Sequence, residues 1–228
     1  MRRILVIAAH PDDELLGLGG TIRKRVNNGD IANCVILGEG FTSRSERRKD
    51  TNRDIVNGLH EDARKASKII GFREIHFESL PDNRFDSVDL LKVIKFIEKY
   101  VRKYKPDVVY THHHGDRNID HRITYEAVLT ACRPMGEYTV KDIYTFETPS
   151  STEWGFTQGA SNFTPNVFED VTDTLQDKLD AMKCYKTEIR DYPHPRSLEA
   201  LEIIAARWGT IVGRKYVEAF NLIRSCRS

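Results

Sequence analysis

Ile4-Leu5-Val6-Ile7-Ala8-Ala9-His10-Pro11-Asp12-Asp13-Glu14 is the stretch on which the fold turns. Its first six residues are apolar without alternation, which marks a strand buried on both faces of a parallel sheet. A His and three carboxylates follow at once on a Pro-containing turn. Leu15, Leu18, Ile22 and Val26 then recur at helical spacing, and Asn28-Gly29 ends that helix. Buried strand, charged turn and amphipathic helix make the first half of a βαβ unit.

The rhythm continues outward. Ala32-Asn33-Cys34-Val35-Ile36-Leu37 reads as a second strand closed by Gly38-Glu39-Gly40, and Ile55, Leu59, Ala63, Ala66 and Ile70 as a helix ended by Gly71. Glu74-Ile75-His76-Phe77 is a third strand. Leu90, Ile94, Ile97 and Val101 mark a helix stopped at Lys105-Pro106. Asp107-Val108-Val109-Tyr110 is a fourth strand running into Thr111-His112-His113-His114, with a helix from about His121 to Cys132. Asp142-Ile143-Tyr144-Thr145-Phe146 is a fifth strand. The spacing predicts two more helices, roughly 172–186 and 197–212. Between them and the fifth strand lies a polar, aromatic connection of about 148–170, long enough to suggest an active-site or oligomer loop. The expectation is an α/β, Rossmann-like three-layer α/β/α fold in one domain over 1–228, with a mostly parallel sheet of at least five strands.

Composition narrows the function classes. Among 228 residues, 35 Lys and Arg face 34 Asp and Glu, a net charge of +1, so no global basic field invites nucleic acid. No apolar run approaches the roughly 18 residues of a membrane span. Cys34, Cys132, Cys184 and Cys226 form no CxxC pair, and the short apolar run after Met1-Arg2-Arg3 does not make a signal peptide. A reducing, cytoplasmic setting is expected.

The chemistry concentrates where parallel sheets place ligands, beyond the carboxyl ends of strands. A buried strand delivering His10, Asp12, Asp13 and Glu14 onto a turn is costly unless the charges find partners. One reading has Asp12 or Asp13 capping the helix and Glu14 complementing its dipole. A second cluster, Asp116-Arg117-Asn118-Ile119-Asp120-His121, follows the fourth strand, a common neighbour of the first. Two imidazoles and one carboxylate form a three-ligand set with a position left open for water, the pattern of catalytic zinc. Asp12 and Asp13, being adjacent, point different ways, so one can bind metal while the other moves a proton.

These motifs resemble the PIG-L/LmbE family of zinc-dependent N-deacetylases. Ala9-His10-Pro11-Asp12-Asp13-Glu14 is similar to its signature. Gly38-Glu39-Gly40, Leu80-Pro81-Asp82-Asn83, Asp120-His121-Arg122, His194-Pro195-Arg196-Ser197 and Val217-Glu218-Ala219-Phe220 follow in the family's order. The resemblance implies a hydrolase of an N-acetyl or other N-acyl group on a GlcNAc-type sugar, nucleotide sugar or glycoconjugate. It implies His10, Asp13 and His121 as ligands of Zn2+ (Fe2+ being another possible ion), Asp12 as general base, and Glu39 and Asp82 as sugar contacts. It also implies self-association as a homo-oligomer.

One position departs from the family. A His is common three residues before the last ligand, and here Asn118 stands there as an oxyanion donor that cannot carry charge. Asp12, once protonated, is then the expected acid for the leaving amine, with His112, His113, His114 and His194 as candidates to replace it, and Asp116 or Asp120 is a candidate for orienting a ligand imidazole. Arg53, with Arg44 and Arg47, is a candidate for a substrate phosphate, and His194 for a substrate contact, although a solvated helix face is the default reading of the arginines. Trp154, Phe156 and Phe163 either stack on a sugar or cover the core or an oligomer contact. Leu16-Gly17-Leu18-Gly19-Gly20 lacks dinucleotide-loop spacing and is better explained by close helix–sheet packing. The competing functions are an amidase on a thiol-sugar conjugate or other small N-acyl amine, and a non-catalytic sugar- or nucleotide-binding domain.

Overall fold

The computed structural model describes residues 1–44, 53–135, 138–156 and 162–227. The described strands are β1 (Arg3–Ala8), β2 (Ile31–Gly38), β3 (Glu74–Leu80), β4 (Val108–His112), β5 (Asp142–Phe146), β6 (Val167–Asp170) and β7 (Val217–Ser225). The helices are α1 (Asp13–Asn27), α2 (Arg53–Ile70), α3 (Leu90–Tyr104), α4 (Ile119–Ala131), α5 (Leu175–Met182) and α6 (Leu198–Val212). The strands form one sheet in the order β3-β2-β1-β4-β5-β7-β6. The five strands from β3 to β5 are parallel, and β7 runs antiparallel to both β5 and β6.

Strand β1 divides the core. Ile4, Val6 and Ala8 project to one face, onto α1, α2 and α5, while Leu5, Ile7 and Ala9 project to the other, onto α3 and α4. That two-sided burial explains the unbroken apolar run, because a strand's side chains alternate faces and both faces here are covered. The chain steps outward from β1 to β2 and β3, then returns to β4 on β1's other side. The reversal opens a crevice at the carboxyl ends of β1 and β4.

Helix α1 is broken. Leu18 leaves helical geometry with φ −153°. The amides of Gly20 and Thr21, freed by the break, donate to the Glu218 carboxylate of β7 at 3.1 and 2.6 Å. On the other side of the break, Lys178 Nζ of α5 donates to the Leu16 carbonyl at 2.9 Å and to Glu218 at 2.7 Å. A buried ion pair thus caps both halves of the interrupted helix. Gly17 lies flat against β5, where an added Cβ would come within 2.2 Å of the Phe146 ring. The glycines of 16–20 serve close packing, as the sequence suggests.

Three elements differ from the sequence expectation. The helix expected over 172–186 is the shorter α5, after which turns carry Tyr185 to the core. Two strands, β6 and β7, extend the sheet to seven. Val217-Glu218-Ala219-Phe220 has one polar member, Glu218, which is buried against α1, and Phe220 follows it at the same parity, so neither face shows the usual alternation. The connection at 148–170 contains a 3-10 turn at Glu153–Gly155 and ends as β6. Its residues 157–161 lie outside those described.

Candidate metal centre and active-site pocket

The turn after β1 owes its shape to Asp12, whose φ of 100° is a left-handed geometry unfavourable for a residue with a Cβ. Its carbonyl still accepts from Leu15 and Leu16 at 2.9 Å, so α1 begins normally while the Asp12 and Asp13 carboxylates diverge. Glu14 turns inward, accepting from the Tyr185 hydroxyl at 2.5 Å and the Asp12 amide at 3.1 Å. Burial raises its carboxyl to about 7 despite the Tyr185 bond. Glu14 braces the turn from beneath.

The second cluster descends from β4. His112, fully buried at its end, accepts the Ala9 amide on Nε2 at 2.8 Å and meets the Thr148 hydroxyl through Nδ1 at 3.2 Å. With Nε2 accepting, the proton sits on Nδ1. Burial, with the His121 ring stacked 3.9 Å away, lowers His112 to about 3. His112 is a neutral support that ties β4 to β1. Asn118 caps α4 by accepting the Asp120 amide at 2.8 Å, and the first turn then presents Asp120 and His121.

His10, Asp13 and His121 converge, their donor atoms all within 4.8 Å of one another. Asp13 Oδ2 lies 3.5 Å from His10 Nδ1 and 3.4 Å from His121 Nε2. A tetrahedral zinc with bonds of about 2.1 Å has ligand–ligand edges of about 3.4 Å, so the donor set fits such an ion. Each imidazole also has a carboxylate on its other nitrogen. Asp120 Oδ2 lies 2.9 Å from His10 Nε2, and Asp116 Oδ1 lies 3.1 Å from His121 Nδ1, the latter an ionic contact rather than an aligned hydrogen bond. These carboxylates are themselves held. Asp120 accepts the amides of Asn83 at 2.6 Å and Phe85 at 2.9 Å. Asp116 accepts the hydroxyls of Ser151 and Thr152 and the Asn118 amide.

His10, Asp82 and Asp120 form a second grouping of possible donors. Both Asp120 oxygens are already committed to backbone amides, so this grouping orients His10 rather than offering a separate ion site. The electrostatics agree. Burial pushes His10 and His121 down, yet Asp120 and Asp13 hold the first well up, and Asp13 and Asp116 hold the second up to about 9. Burial also pushes Asp13 up, but the His121 and His112 rings keep it well below the usual carboxylate range. The place is built for positive charge.

Above the donors opens a cavity of about 280 Å³ whose wall includes Asp12, Asp82, Asn83, Asn118, Ser150 and Arg196. Asp12 is raised by burial and by the neighbouring Asp13, against the pull of Arg196. Asp82 reaches His10 Nε2 at 3.2 Å and accepts from the Ser43 hydroxyl at 2.7 Å. Asn118 donates from Nδ2 to Asn83 Oδ1 at 3.0 Å, beyond its capping role.

The remaining expected residues stand off the cavity wall. Glu39 is buried and pairs with Arg53 at 3.0 Å. His113 packs on Phe163 and His114 beside Tyr125, and neither lines the cavity. His194 accepts the Arg196 amide on Nδ1 at 3.1 Å and meets the Trp154 ring. Phe163 belongs to a small apolar cluster with Trp208, whereas Trp154 and Phe156 are exposed. Arg47 lies outside the described residues. Sequence reasoning missed the Glu188–Arg196 pair on the cavity wall and the bracing by Tyr185. His194-Pro195-Arg196-Ser197 was the available signal for the former.

A mostly parallel α/β sheet with a His2Asp donor set at its reversal defines a class of folds in which a divalent ion would fit at the strand ends. Within it, this chain belongs to the PIG-L family, described as GlcNAc-PI de-N-acetylase, whose model matches residues 5–132, and so to a family of amide-hydrolysing enzymes. It is 32% identical over 190 residues to the uncharacterized deacetylase YaiS of Escherichia coli K12, covering 81% of this chain and 90% of that protein. It is 26% identical over 232 residues to the diacetylchitobiose deacetylase of Thermococcus kodakarensis, covering 98% and 84%. Its fold is shared with GalB, the 4-carboxy-2-hydroxymuconate hydratase of Pseudomonas putida KT2440, at a TM-score of 0.77 and 20% identity over 100% of this chain and 98% of that one.

Proposed function

We propose that this chain is a zinc-dependent N-deacetylase of GlcNAc-type amino sugars, their nucleotide sugars or glycoconjugates. The observation that carries this reading is the placement of Asp12 beside the His10, Asp13 and His121 donors at the base of a polar, sugar-sized cavity. A divalent ion bound there supplies a water with its pKa lowered to about 7 and polarises the amide carbonyl. Asp12 accepts the water's proton and returns it to the leaving amine. Asn118, fixed by its cap and by Asn83, offers its second amide hydrogen to the developing oxyanion. Asp82 and Asn83, which line the same cavity, face sugar hydroxyls. Glu39 and Arg53 enter only through their mutual pair, a polar rim for a larger substrate. The four cysteines are free thiols, which supports a reducing, cytoplasmic setting.

Free amine and acetate released across a panel of N-acetyl sugars, nucleotide sugars and other N-acyl amines test the reading. Turnover of an N-acetyl sugar, lost on chelation and restored by zinc, is the expected result; a zinc-replete protein inert on every N-acetyl sugar overturns it. Asp12→Ala is expected to lower kcat by about 10²–10⁴-fold while bound zinc stays stoichiometric.

A further inference from the structure

Arg196 has no part in the reading above, yet it is the cation that meets Asp12. Its Nη1 lies 3.2 Å from Asp12 Oδ2 and 2.9 Å from Glu188 Oε2. Both carboxylates are about 95% buried, at 4% and 5% exposed, and all three residues line the cavity. One nitrogen therefore bridges two buried acids from different parts of the chain. The bridge is anchored. The Arg196 amide donates to His194, the next residue Ser197 caps α6 through the Ala200 amide at 3.0 Å, and the Ser197 amide donates to the His194 carbonyl.

Its geometry is poor for stability alone. Arg196 Nε is buried without a hydrogen-bond partner among the described residues, a costly state for a group whose only task is to neutralise Glu188. Asp12, in contrast, gains much. It sits on a left-handed backbone and is flanked by Asp13 and Glu14. Like charges at Asp13 push it outward without choosing a direction; the Nη1 bridge chooses one.

We infer that Arg196, braced by Glu188, is a positioning residue that fixes the Asp12 carboxylate toward the cavity and apart from the metal donors. The inference rests on the deacetylase reading for its kinetic consequence but not for its structural one. Its test uses two variants of the full chain. Arg196→Met keeps the aliphatic stem in place, and a crystal structure of the zinc-loaded variant reads the Asp12 carboxylate directly. The expected result is a carboxylate rotated out of its present place; an unmoved carboxylate overturns the inference. Arg196→Ala leaves room for added guanidinium. On a substrate turned over by the unaltered enzyme, kcat should fall about 10–100-fold, with KM and zinc affinity held, and guanidinium should restore part of the loss. An unchanged kcat, or a loss that guanidinium leaves untouched, overturns it. If the unaltered enzyme turns over no N-acetyl sugar, the deacetylase reading fails, and the crystal structure alone decides the role of Arg196.

Discussion

Asp120 and Asp116 show how much of the proposed metal site lies behind its donor atoms. Each holds an imidazole by the nitrogen that faces away from the donor cluster, and each is held in turn by backbone amides or hydroxyls. Asp120→Asn should weaken zinc binding by about 10–100-fold, measured by competition against a chelator of known affinity, and should also lower Tm, because its amide nitrogen cannot accept the Asn83 or Phe85 backbone amide that it faces. Retained affinity would show that His10 needs no such partner. At this scale the sequence was informative about chemistry and silent about reach. His10, Asp12, Asp13 and His121 could be singled out because charges beyond the ends of two buried strands demand partners, and their roles only through the likeness to the PIG-L/LmbE motifs. The roles of His112, His113 and His114 were not, because three successive imidazoles at a strand end differ only in direction. His112 turned back to the Ala9 amide, a contact between strands adjacent in space but about a hundred residues apart in the chain.

Among the elements, α1 repays most study. It carries Asp13 and Glu14 in a first turn that is separated from the remainder by the break at Leu18. Two predictions belong here. Gly17→Ala drives a methyl into the Phe146 ring, and should lower stability by about 1–3 kcal/mol, read as a fall in Tm; an unchanged Tm would mean the helix can shift away at no cost. Lys178→Met leaves Glu218 buried without its cation and should cost about 3–5 kcal/mol. Adding Glu218→Gln should recover part of that loss, because a neutral amide needs no cation and its one oxygen still accepts from Gly20 or Thr21, which bond different oxygens of Glu218, and a double-mutant cycle measures the coupling. The parallel strands and their helices were legible from periodicity. The antiparallel pair β6 and β7 was not, since a buried Glu in the middle of a strand reads as a surface residue until its partners are known.

For the whole molecule, the site joins two separate stretches of chain across the sheet's reversal, so a bound ion stabilises only the folded state. Zinc at about a thousand times its Kd adds about 4 kcal/mol. For a chain of this size that corresponds to a Tm higher by about 8–16 °C, lost on chelation and absent in Asp13→Asn. A chelator that leaves Tm unmoved would argue against an ion at this place. A second global effect comes from Glu147, which accepts from the Trp208 indole and is raised by burial to about 7. With its folded value above the unfolded one, its stabilising contribution is complete below about pH 4.5 and is lost as pH rises through 7. Glu147→Gln should therefore gain on the unaltered protein between pH 5 and 8 by about 2 kcal/mol, allowing for partial exposure. Parallel thermal melts at the two pH values check this; equal differences at both would refute it.

The Glu218 cap has an implication for biosynthesis. The amide of Gly20 and the carboxylate that satisfies it are 198 positions apart. A ribosome has made the turn bearing Asp12 and Asp13 long before it makes the residue that completes the helix behind it. A nascent or C-terminally truncated chain that stops short of Val217 keeps that helix with two uncapped amides in what must become the core. Maturation of the first motif in the chain waits on its last strand.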